Sequence, residues 1–188
     1  MNDNNKTQVL VLLSGGIDST VCIDYYLNNN YPTNSIYIDF GQDAACFEYE
    51  SAKKIAEHYS INLDFVKIDC GTTYGKGEII GRNAFLVFLV LMKYQPFNGL
   101  IAMGLHSGVP YYDTSEIFFK EIKTMVANYT NRDVGIDLPL LTWSKEMVYK
   151  YCKKNNVPVE ITYSCESGTL PQCGKCLSCL DREIFNAC

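Results

Sequence analysis

The sequence predicts an α/β protein: a doubly wound, mainly parallel sheet with a small cysteine-rich appendage at its C-terminal end. Three observations predict it. Short apolar runs alternate with amphipathic stretches as far as Pro158, and strands alternating with helices form βαβ units, hence a parallel sheet covered on both faces. A tight small-residue turn, Ser14-Gly15-Gly16, follows the first apolar run. Four cysteines, Cys165, Cys173, Cys176 and Cys179, cluster near the end. The expected division is 1–160 for the α/β domain and 161–188 for the cysteine segment.

The first strand is the bounded apolar run Gln8 to Leu13, short and unbroken enough to be buried on both faces. A helix follows to about Leu27 and stops at Asn28-Asn-Asn-Tyr-Pro32. Ser35 to Phe40 is the second strand, closed by Gly41. Asp43 is expected to cap a helix from Ala44 to about Tyr59, with Phe47, Ala52, Ile55 and Ala56 facing inward. Leu63 to Ile68 is the third strand. A glycine-rich connection (Gly71, Gly75, Gly77, Gly81) leads to Asn83–Tyr94, which is apolar nearly all round and therefore expected to lie sandwiched in the interior.

Leu100 to Leu105 is the fourth strand, where Gly104 suggests a close backbone approach. A loop from Ser107 to Thr114 enters a helix from Ser115 to about Tyr129. Ile136 to Leu141 is a short strand, placed at an edge because Pro139 lacks a donor. Ser144 caps a helix from Lys145 to about Lys154, and Pro158 marks its end. Ligands of such sheets bind beyond the carboxyl ends of the strands. Those ends carry Ser14–Asp18, Asp39–Gln42, Asp69–Arg82, His106–Thr114 and Thr142–Lys145. His106, a lone histidine, receives no role.

The turn after the first strand carries the chemistry. Adjacent glycines allow positive φ and a close approach of backbone to ligand. The first N–H groups of the helix that follows lack intrahelical partners, and the helix dipole adds positive potential. Together they make an anion site suited to phosphate, to which Ser14, Ser19 and Thr20 add hydroxyls. Asp18, a carboxylate beside a bound anion, reads either as an N-terminal cap or as a ligand for Mg²⁺ bridging to phosphates. The stretch is neither a Gly-Lys-Ser/Thr-ended phosphate loop nor a GxGxxG fingerprint.

Composition narrows the function. The 188 residues suit one domain with a small appendage, and 47% hydrophobic with 20% charged residues is ordinary for a globular protein. A net charge of −5 argues against broad nucleic-acid binding. No apolar run reaches transmembrane length and the start Met1–Lys6 is no signal peptide, so a cytoplasmic location is expected. There thiols stay reduced.

The spacing Cys165-(seven residues)-Cys173-x-x-Cys176-x-x-Cys179 therefore reads as a tetrahedral Zn²⁺ site, closed and so structural rather than catalytic. Gly174 permits the knuckle, while Lys175 and Arg182 offset the thiolate charge. Cys22, Cys46, Cys70, Cys152 and Cys188 read as ordinary thiols.

The two motifs, in this order, resemble the QueC (7-cyano-7-deazaguanine synthase) family of the N-type ATP pyrophosphatase, or PP-loop, superfamily. The resemblance rests on Leu13-Ser-Gly-Gly-Ile-Asp-Ser-Thr20, Asp39-Phe-Gly-Gln42, Gly81-Arg-Asn83, Tyr111-Tyr-Asp113, Pro139–Glu146 and the four cysteines, and spans nearly the whole chain. It implies a sheet like that of adenine nucleotide alpha hydrolases, with ATP, Mg²⁺ and Zn²⁺ as cofactors. It implies that the carboxylate of 7-carboxy-7-deazaguanine is adenylated, captured by ammonia as an amide, and activated by a second ATP so that loss of AMP leaves the nitrile. The nucleotide would lie on Leu13, Ser14, Gly15, Gly16, Ile17, Asp18, Ser19, Thr20 and Asp39. Asp18, Arg82 and Lys145 would serve the transfer at the α-phosphate, and Arg82, Asn83, Tyr111, Tyr112 and Asp113 would hold the base.

The connection Gly71–Ile80 is shorter than in that family, and Ile79-Ile80 replaces a Val-Pro pair. A trimmed wall motivates an alternative from the same chemistry: a deazaguanine carboxylate joined to a protein amine, as in QueC-like ligases of antiviral operons. A tRNA-modifying sulfurtransferase would need a reactive cysteine outside the zinc set and a basic surface. A zinc-stabilised interaction module would not need an intact Ser14–Thr20. Assembly as a homodimer is compatible with the sequence.

Overall fold

A computed structural model describes residues 7–69, 71–74, 77–95, 97–106 and 110–186. Five strands, β1 (Val9–Leu12), β2 (Thr33–Asp39), β3 (Leu63–Lys67), β4 (Gly99–Met103) and β5 (Val134–Asp137), form one sheet in the order β3-β2-β1-β4-β5. Every pairing is parallel. The helices are α1 (Ile17–Asn28), α2 (Ala45–His58), α3 (Arg82–Lys93), α4 (Glu116–Tyr129), α5 (Lys145–Asn155) and α6 (Leu177–Asn186). The expected doubly wound α/β architecture is the one observed. The chain moves outward from β1 to β3, then crosses back to β4 on the other side of β1. That reversal opens a crevice between the carboxyl ends of β1 and β4.

Strand periodicity decides which side chain meets which helix layer. Leu10, Leu12, Ile36, Ile38, Ile101 and Met103 point to one face, against Val87, Val90 and Leu91 of α3 and Phe118, Ile122 and Val126 of α4. Val9, Val11, Leu13 and Tyr37 point to the other, against Cys22, Ile23 and Tyr26 of α1 and Ala52 and Ile55 of α2. All four residues of β1 are buried, as befits a central strand covered on both sides. α5 packs on α1 through Val148 and Cys152 against Ile17 and Val21.

Several expectations need correction. α3 is not sandwiched: Val87, Val90 and Leu91 are buried, but Phe85 and Met92 are 41% and 74% exposed. The sheet has only one face to offer this helix, so its outer stripe stays uncovered. Asp43 does not cap α2. The cap residue is Ala44, without a side-chain bond, because Gly41 and Asp43 are held by backbone bonds with Tyr74 (3.0 and 2.9 Å). β5 ends before Pro139, since its register with β4 runs from Val134 to Asp137. It is an edge strand as expected. Ser144 and Ser115 do cap their helices, accepting from the N–H groups of Met147 and Phe118. α6 was not anticipated. Gly75 and Ser107–Val109, like Cys70 and Cys188 among the thiols, lie outside the described residues.

Candidate active site

The turn between β1 and α1 is built by crowding from behind. Gly15 has φ +80°, and a Cβ there would stand 2.4 Å from the Glu48 carbonyl oxygen. Its own carbonyl is held by the Ser51 hydroxyl (2.9 Å) and the Tyr163 N–H (2.9 Å). The same Ser51 hydroxyl lies 2.6 Å from Ile161 O, so its one proton is shared between the two carbonyls. Gly16, not Asp18, is the helix cap. That removes the capping reading of Asp18, which sits one residue into the first turn.

The hydroxyls divide by role. Thr20 is fully buried and donates to Gly16 O at 2.8 Å, which locks the turn. Ser14 Oγ, on an exposed residue, lies 3.1 Å from Ser19 Oγ, so these two converge at the mouth. Ser19 also bonds to Gly16 O at 3.0 Å. Leu13 and Ile17 are buried and offer only backbone. Gly104, after β4, presses against the same turn: its Cβ would meet the Asp18 carbonyl at 2.4 Å.

Lys145, at the start of α5, reaches back to this turn. Its Nζ is 2.8 Å from Asp18 Oδ2, across 127 residues of sequence. His106 Nε2 lies 3.8 Å from the same oxygen. Asp18 Oδ1 is buried with no hydrogen-bond partner among the described residues. A carboxylate oxygen without a partner among the described residues, at the first turn of α1, fits a hard cation such as Mg²⁺.

Asp39 closes β2: it accepts from Gly41 N–H (3.0 Å) and pairs with Lys67 (3.2 Å). Arg82 opens α3 and donates from Nε to Asn83 Oδ1 at 3.1 Å. Asn83 is buried and bonded to Asp113, both through its amide to Asp113 O (3.0 Å) and through its N–H to Asp113 Oδ2 (3.3 Å). Tyr112, more than half exposed, donates to Glu121 of α4. Asp113 is therefore engaged by the start of α3, and Tyr112 turns to α4. Tyr111 precedes a short 3-10 turn, Tyr112–Thr114.

Glu48 escaped the sequence reading. Its carboxylate takes hydrogen bonds from Gln42 Nε2 (2.9 Å) and Tyr37 OH (3.1 Å). Burial raises its pKa, against those two bonds and the Arg82 charge, which lower it. Beside Arg82 is a recess of about 130 Å³ lined by Phe40, Tyr74, Ile79 and Phe85. A larger cavity, about 650 Å³, lies at the amino ends of the strands around Asn34, Asn62 and Lys93, away from the crevice.

At the other end of the chain the four Sγ atoms of Cys165, Cys173, Cys176 and Cys179 lie within 4.8 Å of one another, a set that could hold one metal ion. N–H groups of Cys173 and Lys175 point at the sulfurs of Cys165 (3.3 Å) and Cys173 (3.4 Å). Burial acts to raise the Cys165 thiol, but the Cys173 N–H and Thr169 outweigh it and hold it down to about 5. Gly174 adopts φ +65° at the knuckle. Cys22 and Cys152 are buried, and burial pushes both thiols up, Cys152 to about 12. They are not poised nucleophiles.

The family model described as queuosine biosynthesis protein QueC matches residues 8–87 and 79–186. The chain belongs to the QueC family. Relatives of this QueC-family chain include the 7-cyano-7-deazaguanine synthase of a Sulfurihydrogenibium species, 31% identical over 211 residues, covering 95% of this chain and 93% of the relative. Another is that of Prochlorococcus marinus subsp. pastoris, 30% identical over 215 residues (97% and 94%). Among solved structures, a predicted tRNA methyltransferase subunit from Methanocaldococcus jannaschii aligns with TM-score 0.55 at 15% identity, over 79% of this chain and 76% of that one. The NH3-dependent NAD synthetase of Campylobacter jejuni aligns with TM-score 0.51 at 15% identity (85% and 68%). These likenesses concern the fold alone. Among the described residues no helix is long and apolar enough to cross a membrane.

Proposed function

We propose that this chain adenylates the carboxylate of 7-carboxy-7-deazaguanine with ATP and converts it, with ammonia, to 7-cyano-7-deazaguanine, releasing AMP and pyrophosphate. One observation carries the reading: within a QueC-family fold, the turn Ser14–Ser19 opens a helix, whose first N–H groups have no intrahelical partner, and brings two hydroxyls together at the switch point, with Lys145 beside them. The turn would hold the pyrophosphate portion of ATP. Carboxylate oxygen attacks the α-phosphorus and pyrophosphate leaves; ammonia then displaces AMP to give the amide. The amide oxygen attacks a second ATP, and loss of AMP and a proton leaves the nitrile.

The chain's own groups supply positioning and charge. Ser14, Ser19 and the backbone from Gly16 to Ser19 orient the leaving phosphates. Lys145 and Arg82 face the charge that builds at the α-phosphorus. Asp18 would hold Mg²⁺, which neutralises phosphate charge. The base would lie toward Arg82, against Phe40 and Tyr74, whose rings are 5.8 Å apart. Asn83 and Asp113 hold the start of α3 in place for it. The cysteine set would hold structural Zn²⁺.

A second reading of the acceptor follows from the shortened connection before α3, where the two matches of the family model overlap at residues 79–87. A shorter connection would leave more room for a bulkier amine, such as a protein terminus. Mass spectrometry of products from ATP and carboxy-deazaguanine, with and without ammonia, tests both. Nitrile or amide formed with ammonia supports the first; acyl transfer only to a protein amine supports the second; no AMP under either condition refutes both.

A further inference from the structure

Asp181 does not come from the sheet domain. It sits on α6, two residues beyond Cys179, on the helix that starts between the third and fourth cysteines. Its Oδ2 nevertheless lies 3.7 Å from Lys145 Nζ, whose other carboxylate partner is Asp18 at 2.8 Å. One ammonium is bracketed by a carboxylate beside the phosphate-binding turn and a carboxylate from the cysteine segment.

The bracket has firm supports. Arg182, next in sequence, donates to Thr162 Oγ1 and to Val159 O, both at 2.8 Å. The Ser178 hydroxyl donates to Glu166 Oε1 at 2.8 Å. Tyr163, between these anchors, donates its N–H to Gly15 O at 2.9 Å. The path from the cysteines to the turn is therefore continuous. The cysteines orient α6, α6 aims Asp181, and Asp181 with Asp18 confines Lys145.

We propose that Asp181 is a positioning residue for Lys145, which makes the four-cysteine centre part of the wall of the ATP site. This rests on the ATP reading above. When nucleotide occupies the turn, Asp18 has a competing demand on its oxygens. Lysine is a point charge on a flexible stem, free to swing into solvent once its nearer partner is engaged. A second carboxylate on the far side keeps it at the mouth. Lys145 and Asp181 are 33% and 43% exposed, so their attraction is screened and the effect is a few-fold, not orders of magnitude.

The test is a double-mutant cycle on the full chain with zinc content measured: parent, Asp181→Asn, Lys145→Met and the double variant. MgATP affinity by calorimetry and the initial rate of AMP formation are the readouts. Asp181→Asn should keep its zinc and weaken both roughly two- to fivefold, the size of a half-exposed ion pair. It should change neither in the Lys145→Met background, a result a merely structural residue would not produce. Lys145→Arg, which keeps charge and reach, should retain sensitivity to Asp181→Asn. Equal losses in both backgrounds, no loss in the parent, or loss of zinc from Asp181→Asn would each overturn the proposal. If the binding cycle behaves as expected while the parent forms no AMP from the deazaguanine acid, the substrate assignment falls and the role of Asp181 stands.

Discussion

Gly104 packs directly against Asp18: a Cβ on Gly104 would stand 2.4 Å from the Asp18 carbonyl oxygen and 2.8 Å from the Ser19 nitrogen. The end of β4 and the first turn of α1 are in backbone contact, with no room for one methyl group. This contact lies where the sheet reverses direction, between the carboxyl ends of β1 and β4.

Gly104→Ala should therefore push α1 away from β4 or bend the strand end. Overpacking of this kind costs about 1–3 kcal/mol, and for a domain of this size each kcal/mol lowers Tm by roughly 2–4 °C. Because the displaced atoms include the Ser19 N–H, MgATP affinity should fall as well. Calorimetry and thermal melting check the pair of effects. A variant with unchanged Tm and affinity would show that the contact is not maintained in solution.

In the proposed function Ser19 meets phosphate with its hydroxyl, which lies 3.1 Å from Ser14 Oγ and would exchange its 3.0 Å bond to Gly16 O for one to the anion. Removing one donor from a pre-organised anion site costs on the order of 10²-fold in turnover. Ser19→Ala should lower AMP formation by about that factor. Thr20→Ala acts differently: its hydroxyl serves Gly16 O inside the fold, so Tm should drop before turnover does. Rates and melts on the two variants separate the roles.

Ser51 holds Gly15 O and Ile161 O with a single hydroxyl. Ser51→Ala would leave Ile161 O short of this donor and Gly15 O with the Tyr163 N–H alone, a loss of about 1–3 kcal/mol. KM for ATP should rise if Gly15 belongs to the turn that holds phosphate, as proposed. Steady-state kinetics with ATP varied is the measurement.

Glu48 gives a pH signature. Burial raises its native pKa above the unfolded value, so the unfolded chain releases the proton first as pH rises. Its contribution is intact below the ordinary glutamate pKa of about 4.3 and is lost as pH climbs through the higher native value. Glu48→Gln, whose amide oxygen still accepts from Gln42 and Tyr37, should match the parent in Tm near pH 4 and exceed it near pH 8. A difference that shrinks with rising pH would show that the Arg82 charge outweighs burial.

The four cysteines should carry about one zinc per chain, as a closed tetrahedral site does. Cys176→Ser, or a strong chelator, should remove it. Because Tyr163 and Ile161 brace the turn around Gly15, the proposed function expects MgATP affinity to fall together with the metal. Metal analysis and calorimetry on the same samples check the linkage.

Much of this was written locally. The Gly-Gly turn after an apolar strand, the serine caps of α4 and α5, and the spacing of the four cysteines each depend on neighbours a few residues apart, and each was legible. So was the sheet class, because burial on both faces leaves an apolar run and strand–helix alternation leaves a period. The exposed outer stripe of α3 was not legible: an apolar helix looks the same whether one face or two are covered.

The sequence by itself determined the βαβ order, the Gly-Gly turn between β1 and α1 and the cysteine set, since backbone conformation and ligand spacing are short-range properties. Only the tertiary structure decided that Lys145 meets both Asp18 and Asp181, that Ser51 and Tyr163 brace Gly15, and that Asp113 serves α3. Those contacts join residues 30 to 148 positions apart, and no local pattern encodes which distant partner a flexible side chain will reach once the sheet has brought its loops to one edge.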